Sequence, residues 1–114
     1  MERPKVKFIS KEGLFEMMEN KERFKLVEVL PEDSYQEGHL PFAINIPVTE
    51  IEEKSKDLLP DKNETIVVYC ADFLCLASTD AARKLQRLGY TNVLDFKGGK
   101  GDWQAAGLPL IKSR

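Results

Sequence analysis

Apolar residues recur along the chain in two alternating rhythms. Short apolar, β-branched runs predict strands at Lys7–Ser10, Phe24–Val29, Ala43–Ile46, Ile66–Tyr69 and Asn92–Phe96. Between them lie stretches with helical spacing. Lys11–Glu19 buries Leu14, Phe15, Met17 and Met18 behind a Ser10 cap. Glu32–Glu37 is short and closed by Gly38, with Pro31 stopping the strand before it. Thr49 and Glu52 have the spacing of a capping box, and their helix runs to about Leu58 before Pro60. Ala81, Ala82, Leu85 and Leu88 share one face of a helix ended by Gly89. Lys97–Gly101 reads as a flexible turn, and Asp102–Ala106 as a last short helix stopped by Gly107.

Strand and helix therefore alternate from end to end. That order predicts an α/β fold with a mostly parallel sheet covered on both faces. In such a sheet, ligands bind beyond the carboxyl ends of the strands. Cys70 stands at one of those ends, directly after Ile66–Tyr69. The residues that follow, Ala71, Asp72, Phe73, Leu74, Cys75, Leu76 and Ala77, include no Lys or Arg, and Ser78 continues into the helix. A loop of this kind can turn its backbone N–H groups inward, and the helix N-terminus adds partial positive charge. The expectation is a thiol ionised by amide dipoles, able to hold an anionic sulfur species.

Composition narrows the field. The 114 residues suit one domain, 1–114, with no repeat, linker or low-complexity tract. An apolar fraction of 42% and a charged fraction of 32% are those of an ordinary soluble protein. Net charge of −2 gives no reason to expect a nucleic-acid or membrane-surface partner. The N-terminus lacks the apolar core of a signal peptide, and two cysteines close in sequence are no secreted disulfide framework. A cytoplasmic protein with a free thiol is expected, and no cofactor or metal is called for.

Three stretches together resemble the rhodanese family of sulfurtransferases. The first holds Tyr35, His39, Leu40, Pro41, Ala43 and Pro47; the second is Val67-Val68-Tyr69-Cys70 with its helix. The third runs from Asn92 through Gly98-Gly99 and Trp103 to Gly107-Leu108-Pro109. The resemblance covers nearly the whole chain in the right order. It implies a five-stranded parallel sheet, a cysteine persulfide on Cys70 and transfer of sulfane sulfur from a small-molecule donor to a thiol or cyanide. A partner protein accepting the sulfur is the alternative, as in a sulfur carrier or interaction module of the same fold. This sequence departs from the family pattern in four places. Glu28-Val29-Leu30 stands where Asp-x-Arg is usual, Phe42 replaces a glycine, the loop after Cys70 lacks the common Arg or Lys, and that loop is longer than usual.

Each candidate has a plainer reading beside the functional one. Cys70 at a strand end is the nucleophile ahead of a buried filler. Cys75 has three readings, a thiol that resolves the persulfide as a Cys70–Cys75 disulfide, a sulfur carrier itself, or apolar packing beside Leu74 and Leu76, the last weighing at least as much as the others; a C-x4-C pair alone supports neither zinc nor a thioredoxin motif. Without a loop cation, capture of dianionic thiosulfate is weakened by about 1.5–3 kcal/mol, which favours a persulfide or polysulfide donor. Lys97 and Lys100 flank the glycine turn, from which they could reach the site from another strand end, but two solvated lysines in a flexible turn is the preferred reading. His39 reads as structural, Trp103 as packing the last helix, and Ser78 and Thr79 as N-cap candidates. A phosphatase or arsenate reductase would need a loop Arg for its oxyanion, and none lies between Cys70 and Arg83.

Overall fold

The computed structural model describes residues 5–113. Five strands alternate with five helices: β1 (Lys7–Phe8), α1 (Lys11–Glu19), β2 (Phe24–Glu28), α2 (Glu32–Glu37), β3 (Ile44–Asn45), α3 (Ile51–Leu58), β4 (Thr65–Tyr69), α4 (Ala77–Arg87), β5 (Val93–Phe96) and α5 (Gly99–Ala105). All strand pairs are parallel, in the order β1-β5-β4-β2-β3. The central strand is β4, whose neighbours on either side hold it in register, Val68 beside both Val27 and Asp95.

Alternation along the strands sorts side chains onto two faces. Val27, Ile66, Val68 and Val93 face α3 and α4, meeting Ile51, Ala81, Ala82 and Leu85. Leu26, Val67, Tyr69 and Phe96 face α1 and α5, meeting Leu14 and Trp103. Trp103 packs edge-on to Phe96 and donates its indole N–H to the Pro109 carbonyl at 2.9 Å. The C-terminal segment is held there too, with Leu108 and Leu110 against the same cluster.

Local signals were followed unevenly. Ser10 caps α1 as expected, accepting from the Gly13 N–H at 3.0 Å. The Thr49–Glu52 capping box is not formed: a 3-10 turn over Val48–Glu50 leads into α3, which has no side-chain cap. The expected glycine turn after β5 is also shorter than the sequence suggests, because α5 begins at Gly99 and absorbs Gly99 and Gly101. His39 is structural. Its ring stacks on Tyr35 at 3.9 Å, and Nδ1 lies 2.9 Å from the Tyr35 carbonyl. Phe42 occupies its glycine-like place with φ of 71° and a largely exposed ring, a backbone conformation that disfavours L residues.

The missing arginine after Glu28 is replaced from elsewhere in the chain. Glu28 is fully buried, and Lys100 Nζ lies 2.9 Å from its Oε2. Tyr69 donates its hydroxyl to Glu28 Oε1 at 2.8 Å and accepts from the Leu40 N–H at 3.0 Å. Lys100 also donates to the Ser34 carbonyl at 2.8 Å. So Lys100 is not a solvated lysine; it ties α5 to the ends of β2 and α2. Burial is the largest influence on Glu28 and pushes its carboxyl above the ordinary 4.5, against the Lys100 and Tyr69 hydrogen bonds.

Removing one partner of a buried pair leaves the other charge uncompensated. Lys100→Met is expected to lower stability by about 3 kcal/mol, read by urea unfolding. The pH dependence follows from the raised Glu28 value. Between the unfolded and folded values the native state binds the extra proton, so this group's contribution is full below 4.5 and falls as pH rises through the folded value. Glu28→Gln is expected to flatten that decline.

Candidate active site

Cys70 directly follows β4 at the carboxyl edge of the sheet, and its place is fixed from two directions. Upstream, Ile66–Tyr69 are fully buried, so the strand cannot slip. Downstream, the first amides of α5 reach its backbone: the Lys100 N–H donates to the Cys70 carbonyl at 3.1 Å and the Gly101 N–H to the Ala71 carbonyl at 2.8 Å. This approach requires a glycine at 99. Its φ is +59°, and a Cβ there would fall on the Cys70 carbonyl.

Residues 71–76 form the loop between β4 and α4. Asp72 turns it, its Oδ1 accepting from the Leu74 N–H at 2.9 Å and its carbonyl from the Cys75 N–H at 3.1 Å. Phe73, Leu74 and Leu76 point outward and are 62%, 89% and 75% exposed. Cys75 points back and packs against the cluster that contains Cys70. Both are free cysteines, Cys70 fully buried and Cys75 half-buried. The loop thus covers the thiol while burying little of its own apolar surface.

The group facing the thiol corrects the expected amide cradle. Cys70 Sγ donates to the Cys75 carbonyl at 3.5 Å, and among the described residues no N–H is bonded to the sulfur. A carbonyl suits a protonated thiol, not an anion. The expected caps of α4 are corrected as well. Leu76 holds the N-cap position without a side-chain bond. Ser78 is buried with its Oγ unpartnered, and Thr79 donates to Asp95 Oδ2 at 2.7 Å. The first amides of α4 consequently have no side-chain acceptor.

A second correction concerns charge. Lys97 Nζ donates to the same Cys75 carbonyl that accepts the thiol. Two donors to one oxygen cannot lie further apart than their bond lengths combined, so the ammonium is within about 6 Å of Sγ, a separation at which a cation favours a thiolate. Burial works in the opposite direction. The loop itself carries no cation, but the neighbouring strand supplies one. The signal was present in the register: Tyr69 pairs with Phe96, so the residues after them, Cys70 and Lys97, emerge side by side.

Beside the loop is an open cleft of about 570 Å³ lined by Phe8, Ile9, Lys11, Phe73, Phe96 and Lys97, among others. A cleft of about 400 Å³ between Pro31, Tyr35, Asn45 and Lys54 lies elsewhere and contains no thiol. Among the described residues, no cluster of three or more His, Cys, Asp or Glu side chains is arranged to hold a metal ion, and no helix is long and apolar enough to cross a membrane.

An open parallel sheet with a cysteine at its central carboxyl edge, followed by a loop and a helix N-terminus, places the chain among the α/β domains with a cysteine loop at a strand end. Within that class the family is specific: the model of the rhodanese-like domain matches residues 10–106, and the chain belongs to this family. It is 38% identical over 74 residues to the thiosulfate sulfurtransferase PspE of Escherichia coli, a match covering 65% of this chain and 69% of that protein. It is 39% identical over 85 residues to the HTH-type transcriptional regulator Rv0324 of Mycobacterium tuberculosis, covering 75% of this chain but only 36% of the regulator. The solved structure of the BH2092 protein from Bacillus halodurans superimposes with a TM-score of 0.86 at 28% identity, over 95% of this chain and 78% of that one.

Gly99→Ala is expected to destabilise the protein by about 1–3 kcal/mol, seen as a lower thermal midpoint. It is also expected to raise the alkylation rate of Cys70, because the carbonyl at the base of the loop loses its amide partner.

Proposed function

We propose that the protein is a sulfurtransferase that carries sulfane sulfur on Cys70. The observation that bears most weight is the placing of Cys70 and Lys97 side by side at the carboxyl edge of the sheet, both bonded to the Cys75 carbonyl of the loop. The Cys70 thiolate attacks the sulfane sulfur of a donor R–S–S⁻. A bond forms between Sγ and that sulfur, the donor's S–S bond breaks, and R–S⁻ leaves with the electron pair. The enzyme is left as Cys70–S–S⁻. A thiolate or cyanide acceptor then attacks the outer sulfur, and Sγ leaves as thiolate. Only the thiolate is an effective nucleophile, and Lys97 supplies the charge that favours it.

The loop must swing away for the donor to enter. Its exposed Phe73, Leu74 and Leu76 contribute little burial to the closed form, so opening forfeits few apolar contacts. Opening removes the Cys75 carbonyl from Sγ and leaves the unoccupied amides at the start of α4, with Ser78 Oγ, to receive the outer sulfur. These residues, Ala71, Asp72, Phe73, Leu74, Cys75, Leu76, Ala77 and Ser78, form the substrate loop in this reading.

The same surface bears on the donor. One lysine and three apolar side chains suit an organic persulfide or polysulfide better than a compact dianion, for which a bidentate arginine is the stronger receptor. We therefore place thiosulfate as the poorer donor.

Mass spectrometry after polysulfide treatment is expected to find one added sulfur on the Cys70 peptide, absent in Cys70→Ser. kcat/KM for glutathione persulfide is expected to exceed that for thiosulfate by at least about tenfold. A thiosulfate value above the persulfide value would overturn the donor assignment, and cleavage of a chromogenic phosphate ester would overturn the reaction class.

A further inference from the structure

The two cysteines lie in one packed group at the carboxyl edge of the sheet. Cys70 Sγ reaches the Cys75 main chain at 3.5 Å, and Cys75 belongs to the apolar group around Cys70. Both are free thiols. The turn at Asp72 brings them together, with Cys75 N–H on the Asp72 carbonyl. Lys97 sits on the Cys75 carbonyl that also receives the Cys70 thiol. Phe73, Leu74 and Leu76 point outward while Cys75 points in.

We propose that Cys75 is a second sulfur-handling residue, which resolves the Cys70 persulfide by forming a Cys70–Cys75 disulfide and releasing hydrosulfide. This rests on the sulfurtransferase reading above and extends it to a further reaction. The Cys75 thiol gives up its proton, and its sulfur attacks Cys70 Sγ. The Sγ–Sγ bond forms while the bond from Cys70 Sγ to the outer sulfur breaks. The outer sulfur departs with the electron pair and takes the proton, leaving as HS⁻. Cys75 is oxidised to half of a disulfide and the outer sulfur is reduced to sulfide, so no other oxidant enters. A dithiol reductant then restores both thiols by exchange. The protein would thereby release sulfide when no acceptor arrives, instead of holding its sulfur indefinitely.

The reaction depends on the loop closing again after loading. The closed conformation holds Cys75 against Cys70, whereas an external acceptor needs the open one. The competition between transfer and release is thus set by the same six residues that admit the donor.

The test uses the full chain, reduced and freed of reductant, loaded with a short excess of inorganic polysulfide, desalted and left without acceptor. Wild type is expected to release about one hydrosulfide per loaded chain and to end two hydrogen masses lighter than the reduced protein. Cys75→Ser and Cys75→Ala are expected to keep the added sulfur on Cys70 and to release hydrosulfide at least tenfold more slowly. Two substitutions guard against a folding defect, and circular dichroism checks each. Release from both variants at the wild-type rate would overturn the proposal, as would a wild-type persulfide that persists with no disulfide. If Cys70 takes up no sulfur in any of the three proteins, the sulfurtransferase reading fails, and this inference fails with it.

Discussion

One backbone oxygen organises the site. The Cys75 carbonyl receives the Cys70 thiol and the Lys97 ammonium together. It closes the loop over the sulfur, and it brings a cation from β5 to a strand end where the loop provides none. In the closed form the carbonyl favours the proton on Cys70. In the proposed mechanism the loop lifts, the carbonyl goes with it and the ammonium is left to the sulfur. The same movement changes both access and the balance between thiol and thiolate.

The loop can be mobile because everything around it is fixed. Two apolar clusters, one on each face, hold β4, and the α5 amides fasten the carbonyls of Cys70 and Ala71. Lys100 contributes twice, through its backbone N–H to Cys70 and through its side chain to buried Glu28. The rhodanese-like pattern commonly keeps an acidic residue and an arginine together on the second strand. Here the cation comes from a helix on the far side of the sequence, and it joins the reactive end of β4 to the ends of β2 and α2. A rigid frame beneath a thin, exposed cover is what a buried nucleophile requires if it is to meet a substrate.

Much of the fold was legible because strand and helix signals were strong and mutually consistent. The boundaries of α1 and α2 agree with the sequence reading, as does the parallel order with helices on both faces. The reading failed where tertiary contact outweighed local preference. Thr49 and Glu52 have capping-box spacing, but the chain enters α3 through a 3-10 turn. Gly99 and Gly101 looked like turn residues, yet they are helical because the α5 backbone must approach Cys70 and Ala71 closely. Cys70 and its loop were identifiable from the strand that precedes them. Lys97 and Lys100 were not, since a lysine in a glycine-rich stretch carries no sign of which carbonyl or carboxylate it will meet. The register of β4 with β5 would have placed Lys97, but only after strand order was known.

The family assignment limits the chemistry without choosing the substrate, since relatives of this domain include a sulfurtransferase and a transcriptional regulator. In this chain the proposed chemistry rests on a cation delivered to Cys70 from the end of β5. The direct measurement is the rate of Cys70 alkylation by neutral iodoacetamide across pH, in a Cys75→Ser background, with and without Lys97→Met. If the ammonium favours the thiolate, Lys97→Met should slow alkylation about tenfold at neutral pH, with the two rates converging at alkaline pH. Equal rates throughout, or a faster variant at neutral pH, would contradict the account.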